Sequence, residues 1–298
     1  MRKSEGLLFQ LGVGLIVLVF LSISINNISI NLIRTGLGFS FDWLLRPASF
    51  ALAEPPLKYS PSDSYAWALF MGWLNSLKVI SASLVIATII GFLSGLARGG
   101  SNALLRLISA GYVTLIRQTP LLLQLMFWYF VGFLSIKDAL ATPFYDILKI
   151  STQGISFAGM SLSAEFSALL FGLSIFTGAY ISEVVRGGIN SVSRGQWEAF
   201  RSLGISEREG LLKVIIPQAL PAIIPGLTSQ YLNLAKNSTL AIAIGYSDIY
   251  AIGDTVINQT GRAIEGFLLL LFSFLFLNLI ISYIMEAINN IITVYQNR

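Results

Sequence analysis

The sequence predicts an all-α integral membrane protein with about six transmembrane helices. Three observations carry that prediction. Of 298 residues, 55% are hydrophobic and only 11% are charged, against roughly a quarter charged in a soluble domain. Five or six apolar runs approach the ~20 residues that a bilayer core requires. Between the runs, basic residues gather in alternate connections, as they do when one side of a membrane faces the cytoplasm.

The runs lie near 7–26, 73–97, 118–136, 166–186, 219–246 and 266–290. Arg2 and Lys3 precede the first, as in a signal peptide. That run is as long as a full span, and the only small-x-small site after it, Ser22-Ile23-Ser24, is poor. An uncleaved anchor is expected. Arg98, Arg106 and Arg117 mark the next basic connection, and Arg186, Arg194, Arg201, Arg208 and Lys213 the third. Segments 27–72, 137–165 and 247–265 are balanced or acidic. The positive-inside rule then places both termini in the cytoplasm of a multi-pass protein.

Composition also removes function classes. With no cysteine and no histidine, the chain lacks a thiol nucleophile, an imidazole base and the usual zinc ligands, so no metal site or catalytic residue is expected. No Gly-Lys dipeptide occurs, which excludes a phosphate-cradling P-loop. The net charge of +4 is read through topology and implies no nucleic-acid partner.

The chain divides into residues 1–72, an extra first span with a long outer loop, and a core over 73–298. The outer loop mixes Trp43, Trp67, Pro55-Pro56 and Pro61, which suits an interfacial cap. It either links the first span to the core or offers a surface to an external partner. In the second run Gly91, Gly95 and Gly99 recur every four residues, forming a strip along which two helices can approach closely.

Arg117-Gln118-Thr119-Pro120 opens the third run, with Thr119 as N-cap and Pro120 in the first turn. Either the helix simply starts there, with Arg117 snorkelling, or Thr119 faces a polar cavity. Gln124, one turn on, needs a partner inside hydrocarbon. In the fourth run Thr177, Tyr180 and Glu183 share one side of a helix. Glu183 is a functional candidate as an intramembrane carboxylate, or pairs with Arg186 three residues on. In the fifth run Asn233, Lys236 and Ser238 belong to a stretch too polar to face lipid. Lys236 would hold a substrate carboxylate or pair with Glu183.

The most polar segment lies between the fourth and fifth runs, with eight charges from Arg186 to Lys213. Trp197 to Leu203 reads as a short helix ended by Gly204 as a left-handed cap. Ser206-x-x-Glu209 has the form of a capping box opening a second helix, which Pro217 is expected to stop. A helix–turn–helix held between two spans is shaped for a soluble partner.

These residues resemble a known pattern. Glu198-Ala199-Phe200, three residues, Gly204, nine residues, then Val214-Ile215-Ile216-Pro217 is similar to the EAA loop of permease subunits in binding-protein-dependent ABC importers. Phe200 replaces the usual second alanine. Asn75-Ser76-Leu77, Arg117 to Gln124, Ala179 to Gly188 and Tyr231 to Ser238 resemble the polar and general amino-acid permeases. The resemblance covers about residues 70–290. It implies a type I importer transmembrane domain in a bacterial inner membrane, with its coupling loop at about 194–218. It further implies a second, different permease subunit, two cytoplasmic ATPases and a periplasmic amino-acid-binding protein. ATP and magnesium would sit on the ATPases, and this chain would bind no cofactor and would not be an enzyme. Gln196, Glu198, Ala199, Phe200, Leu203, Gly204 and Pro217 would couple to the ATPase, with Ala199, Phe200 and Leu203 as the apolar side. Thr119, Gln124, Thr177, Tyr180, Glu183, Asn233, Lys236 and Ser238 would line the amino-acid path. The competing expectation, an ion-coupled secondary transporter, calls for inverted repeats, which the halves 1–149 and 150–298 do not display.

Overall fold

A computed structural model describes residues 3–34, 38–100, 102–136, 148–157 and 160–296. Arg2 and much of segment 137–165, both used in the charge count, lie outside these residues. Among the described residues five helical stretches are long and apolar enough to cross a membrane: Phe9–Asn31, Tyr65–Gly99, Ala164–Asn190, Glu207–Ile244 and Ala263–Thr293. The first belongs to α1 (Lys3–Arg34). It has a mean hydropathy of 2.2 and is not buried against the rest of the chain, as expected for a helix bathed in lipid.

The core is organised by α2 (Tyr65–Gly99) and α5 (Ala164–Asn190). Gly91 lies against Ile181, and a Cβ on Gly95 would come within 2.8 Å of Val185. Two matching four-residue steps in the same direction mean that the helices run parallel through this contact. The Ser182 hydroxyl donates to Ser94 across the same seam at 3.2 Å. Gly99 has open space around it and does not take part.

The third expected span, 118–136, is present as a shorter helical stretch, Leu121–Phe133, preceded by a separate helix. α3 (Ala103–Arg117) starts on Asn102, whose side chain accepts from the Leu104 and Leu105 amides. The chain breaks at Gln118-Thr119-Pro120, and α4 (Leu121–Met126) continues as a π-helical turn, Phe127–Phe133. At 1.5 Å per residue the helix from Leu121 to Phe133 is about 20 Å long, short of a ~30 Å hydrocarbon core. Pro120, not Thr119, is the N-cap. The Thr119 hydroxyl instead donates back to Leu115 and Ile116 carbonyls, closing α3.

A small antiparallel meander, β1 (Leu148–Ser151), β2 (Gly154–Phe157) and β3 (Met160–Leu162), precedes α5. After α5 come α6 (Arg194–Ser202) and α7 (Glu207–Gly210). α7 then runs into α8 (Ile216–Asn237) through a π-helical turn at Leu211–Ile215. Pro217 does not stop this helix. The Ile216 amide already reaches back five residues to Leu211, so the ladder is widened where the proline ring and its missing N–H would otherwise clash. A 3-10 turn, Ser238–Ile244, ends α8, followed by α9 (Ile249–Thr260) and α10 (Ala263–Gln296).

Residues 38–64 form a folded cap over one end of the bundle. Trp43 and Ala48 are buried with Tyr65, Ile252 and Val256. The Ser40 amide donates to the buried Glu265 carboxylate at 3.3 Å. Asn75 donates to the Glu54 and Ser247 carbonyls at 3.0 and 2.9 Å, and Glu54 accepts from the Ser163 amide at 3.1 Å. The cap therefore ties together the ends of α2, α5, α9 and α10.

Candidate translocation cavity and coupling loop

The polar segment folds as its turn signals require. Gly204 adopts φ +73°, which a Cβ would strain. The Ser206 side chain accepts from the Glu209 amide at 3.3 Å. Arg201 pairs with Glu207 at 2.7 Å across the turn, and Lys213 with Glu209 at 3.1 Å. The bond to Glu207 holds the Arg201 guanidinium above its ordinary pKa.

One side chain is reversed from expectation. Phe200 is only 2% exposed, with its ring over Gly210 and its centroid 5.8 Å from that of Trp197. It fastens α6 to α7 and offers nothing to a partner. Leu203 is 77% exposed, and Gln196, Glu198 and Ala199 are exposed too. Gln196, Ala199 and Leu203, spaced three and four residues apart, share one face. Gln196 also accepts from Gln218 of α8 at 3.1 Å, which braces α6 against the membrane helix.

Between α5 and α8 lies a cavity of about 340 Å³, lined by Phe176, Thr177, Tyr180, Gln230, Asn233 and Asn237. Three of the expected residues, Thr177, Tyr180 and Asn233, meet here. Gln230 and Asn237 belong to the same polar stretch but were not assigned to the path from the sequence, although the spacing 230, 233, 237 marks one helical face. The hydroxyls of Thr228, Ser229 and Thr239 instead bond carbonyls of their own helical stretch. Ser238 is fully buried and donates to the Ala235 carbonyl, so it stands outside the cavity wall. Lys236 is exposed and forms no ion pair among the described residues.

Glu183 does not meet Lys236. Its Oε1 contacts Nη1 of Arg98 and, at 3.4 Å, Nη1 of Arg117. Its Oε2 contacts Nη2 of Arg186 at 2.8 Å and accepts from Nε at 2.9 Å. Three helices thus deliver three guanidinium groups to one carboxylate. Arg117 also sits 5.1 Å from the Tyr180 ring centroid, joining this cluster to the cavity wall. Arg98 was legible only as a topology charge, because 85 residues separate it from Glu183.

Gln124 and Thr119 are engaged elsewhere. The Gln124 amide donates to the carbonyls of Ile116 and Thr119 at 3.0 and 3.1 Å and to the Thr119 hydroxyl at 2.7 Å. The partner that this buried amide needs is the end of α3, and neither residue lines the cavity.

Apolar helices of membrane-spanning length, two of them flanking a polar cavity and joined by a helix–turn–helix, have the form of a membrane transport subunit. Residues 87–293 match the family described as "Binding-protein-dependent transport system inner membrane component", and the chain belongs to that family. It is 33% identical to a putative amino-acid ABC transporter permease protein, YhdX, of Escherichia coli, over 91% of this chain and 90% of that protein. It is 31% identical to the general L-amino acid transport system permease protein AapQ of Rhizobium johnstonii, over 88% and 86%. Among solved structures it resembles an amino acid ABC transporter crystallised with histidines, with a TM-score of 0.59 and 27% identity, over 76% of this chain and 94% of that one. A MetNI methionine transporter chain shares the fold at a TM-score of 0.57 and 20% identity, over 76% and 96%.

Proposed function

We propose that this chain is the permease subunit of an ATP-driven amino-acid importer, forming half of the path and passing the ATPase stroke to it. The observation that carries the reading is the pairing of an exposed α6 face with the polar cavity between α5 and α8, only one helix away. α5 leads from the cavity directly into the loop, and α8 leads back from it. A displacement of α6 therefore moves both walls. Leu203 and Ala199, with Gln196 and Glu198 beside them, would dock in a groove of the ATPase in the manner of an amphipathic helix. Phe200, Gly204 and Pro217 would keep the loop rigid enough to transmit force. Thr177, Tyr180, Gln230, Asn233 and Asn237 would hydrate the substrate in transit. No bond of the amino acid changes, and ATP with its magnesium would be held by the ATPase.

The full assembly in this reading contains a second, different permease, two ATPases and a soluble binding protein that delivers the amino acid. The loop end faces the cytoplasm of a bacterial inner membrane, and the cap end faces the binding protein. Affinity purification from native membranes tests this. The expected result is a P-loop ATPase and a second permease in the same complex. Transport by the isolated chain in liposomes without ATP would overturn it.

A further inference from the structure

The charges around the cavity are one-sided. Its wall contains hydroxyl, amide and aromatic groups but no charged side chain. Glu183, which could have received a substrate ammonium group, is occupied by Arg98, Arg117 and Arg186, leaving two positive charges in surplus. Glu183 follows Tyr180 by three residues, about 4.5 Å of helical rise. Lys236 lies next to Asn237 of the wall and has no carboxylate partner among the described residues. At an effective dielectric near 20, a unit charge about 10 Å away alters binding on the order of tenfold.

We propose that the transmembrane path is itself a charge filter, accepting amino acids with anionic or neutral side chains and rejecting lysine and arginine. Arg117 is the specificity-determining residue. Of the three arginines it holds Glu183 at the longest distance, 3.4 Å, and it alone also stacks on Tyr180 of the wall. An entering carboxylate can draw it from Glu183, which keeps its other two partners. A cationic side chain meets the same group as a like charge and finds no carboxylate among the described residues of the cavity wall. The filter rests on the importer reading and adds to it a selection made after the binding protein has released its cargo.

The test uses the complete permease–ATPase complex in nanodiscs without the binding protein, so that selection by that protein is removed. Binding of L-glutamate, L-glutamine and L-lysine is measured by calorimetry. Lysine should bind at least tenfold more weakly than glutamate. Arg117→Lys should keep the order, Arg117→Gln should narrow the gap several-fold, and Arg117→Glu should reverse it. Equal affinities in the unaltered complex, or an order unchanged by Arg117→Glu, would overturn the filter. Should Arg117→Gln fail to assemble, the unaltered complex and Arg117→Lys decide the matter. Binding that obeys none of these orders, while the same complex in liposomes with its binding protein still takes up amino acid when ATP is supplied, defeats the filter alone; absence of that uptake defeats the importer reading beneath it.

Discussion

The ring of Phe200 rests on Gly210, where even a methyl group would collide with it. This contact joins the two helices of the loop across the left-handed turn at Gly204, and Arg201–Glu207 closes the same turn from outside. The loop is thus a small folded unit with its own apolar centre. Gly210→Ala should displace the ring at a cost of about 1–3 kcal/mol. It should depress substrate-stimulated ATP hydrolysis while the membrane helices remain inserted. Phe200→Ala added to Gly210→Ala removes the collision, so the double variant should recover part of the hydrolysis rate. Independent, additive losses would contradict the packing account.

Leu203 makes the opposite prediction. Its side chain projects from the loop, so Leu203→Ser should leave the melting temperature of the isolated permease nearly unchanged. Its retention of the ATPase during purification should fall about tenfold or more, as for a contact residue at an interface centre. A lowered melting temperature with normal ATPase retention would assign Leu203 to the loop's own packing.

The contrast between these two residues shows what the sequence could reveal. Gly204 as the end of the first loop helix and Ser206 as the cap of the second were legible, because each depends on residues within one or two turns, whereas the first helix begins three residues before the expected Trp197. The direction of Phe200 depends on Gly210 and on the body of the loop, and pattern alone assigned it to the partner's side. The same division holds inside the membrane. Thr177, Tyr180 and Asn233 followed from helical periodicity and meet at the cavity. The convergence of Arg98, Arg117 and Arg186 on Glu183 did not, since it joins helices remote in sequence. Thr119-Pro120 read as a helix start one residue out of register, and the short α4 followed from that break. Pro217 read as a stop because a π-helical turn leaves little local signature.

Removing Glu183 should be costly for a reason distinct from substrate contact. Glu183→Gln leaves three guanidinium groups facing one another in a partly buried site. The penalty should fall between the ~1 kcal/mol of an exposed pair and the ~3–5 kcal/mol of a buried one. Thermal denaturation of the purified complex measures it. Adding Arg98→Gln should restore stability by lowering the surplus charge, whereas a merely steric role for Glu183 would make the double variant worse.

Asp248 supplies a pH dependence. It caps α9, accepting from the Ala251 amide at 2.8 Å, and lies in the connection outside the membrane-spanning helices. Its side chain is fully buried, and burial raises its pKa from 3.8 to about 7. The folded state therefore holds this proton more tightly than the unfolded state does. From pH 3.8 up to about 7 the unfolded form ionises first, so the group's contribution to stability declines across that window and stays low above it. Asp248→Asn keeps the capping oxygen and removes the ionisation. Its melting temperature relative to the unaltered protein should rise between pH 5 and pH 8 and then level off. A difference independent of pH would mean that Asp248 is ionised in the folded protein throughout.

The cap over residues 38–64 gives the last prediction. Asn75 is buried within α2, yet it donates to Glu54 of the cap and to Ser247 before α9. Glu54 in turn accepts from the amide that opens α5. One side chain thus sets the spacing of three helix ends at a point where a transport cycle must let them part. Asn75→Ala leaves two carbonyl groups without their donor, at about 1–3 kcal/mol, and the loss falls on the closed arrangement in which all three ends meet. The cap end should then open more readily. A cysteine-reactive probe at Ala48→Cys, a fully buried position of the cap in this otherwise cysteine-free chain, should label faster in the Asn75→Ala background. Equal labelling rates would make the cap a passive brace whose contacts persist through the cycle.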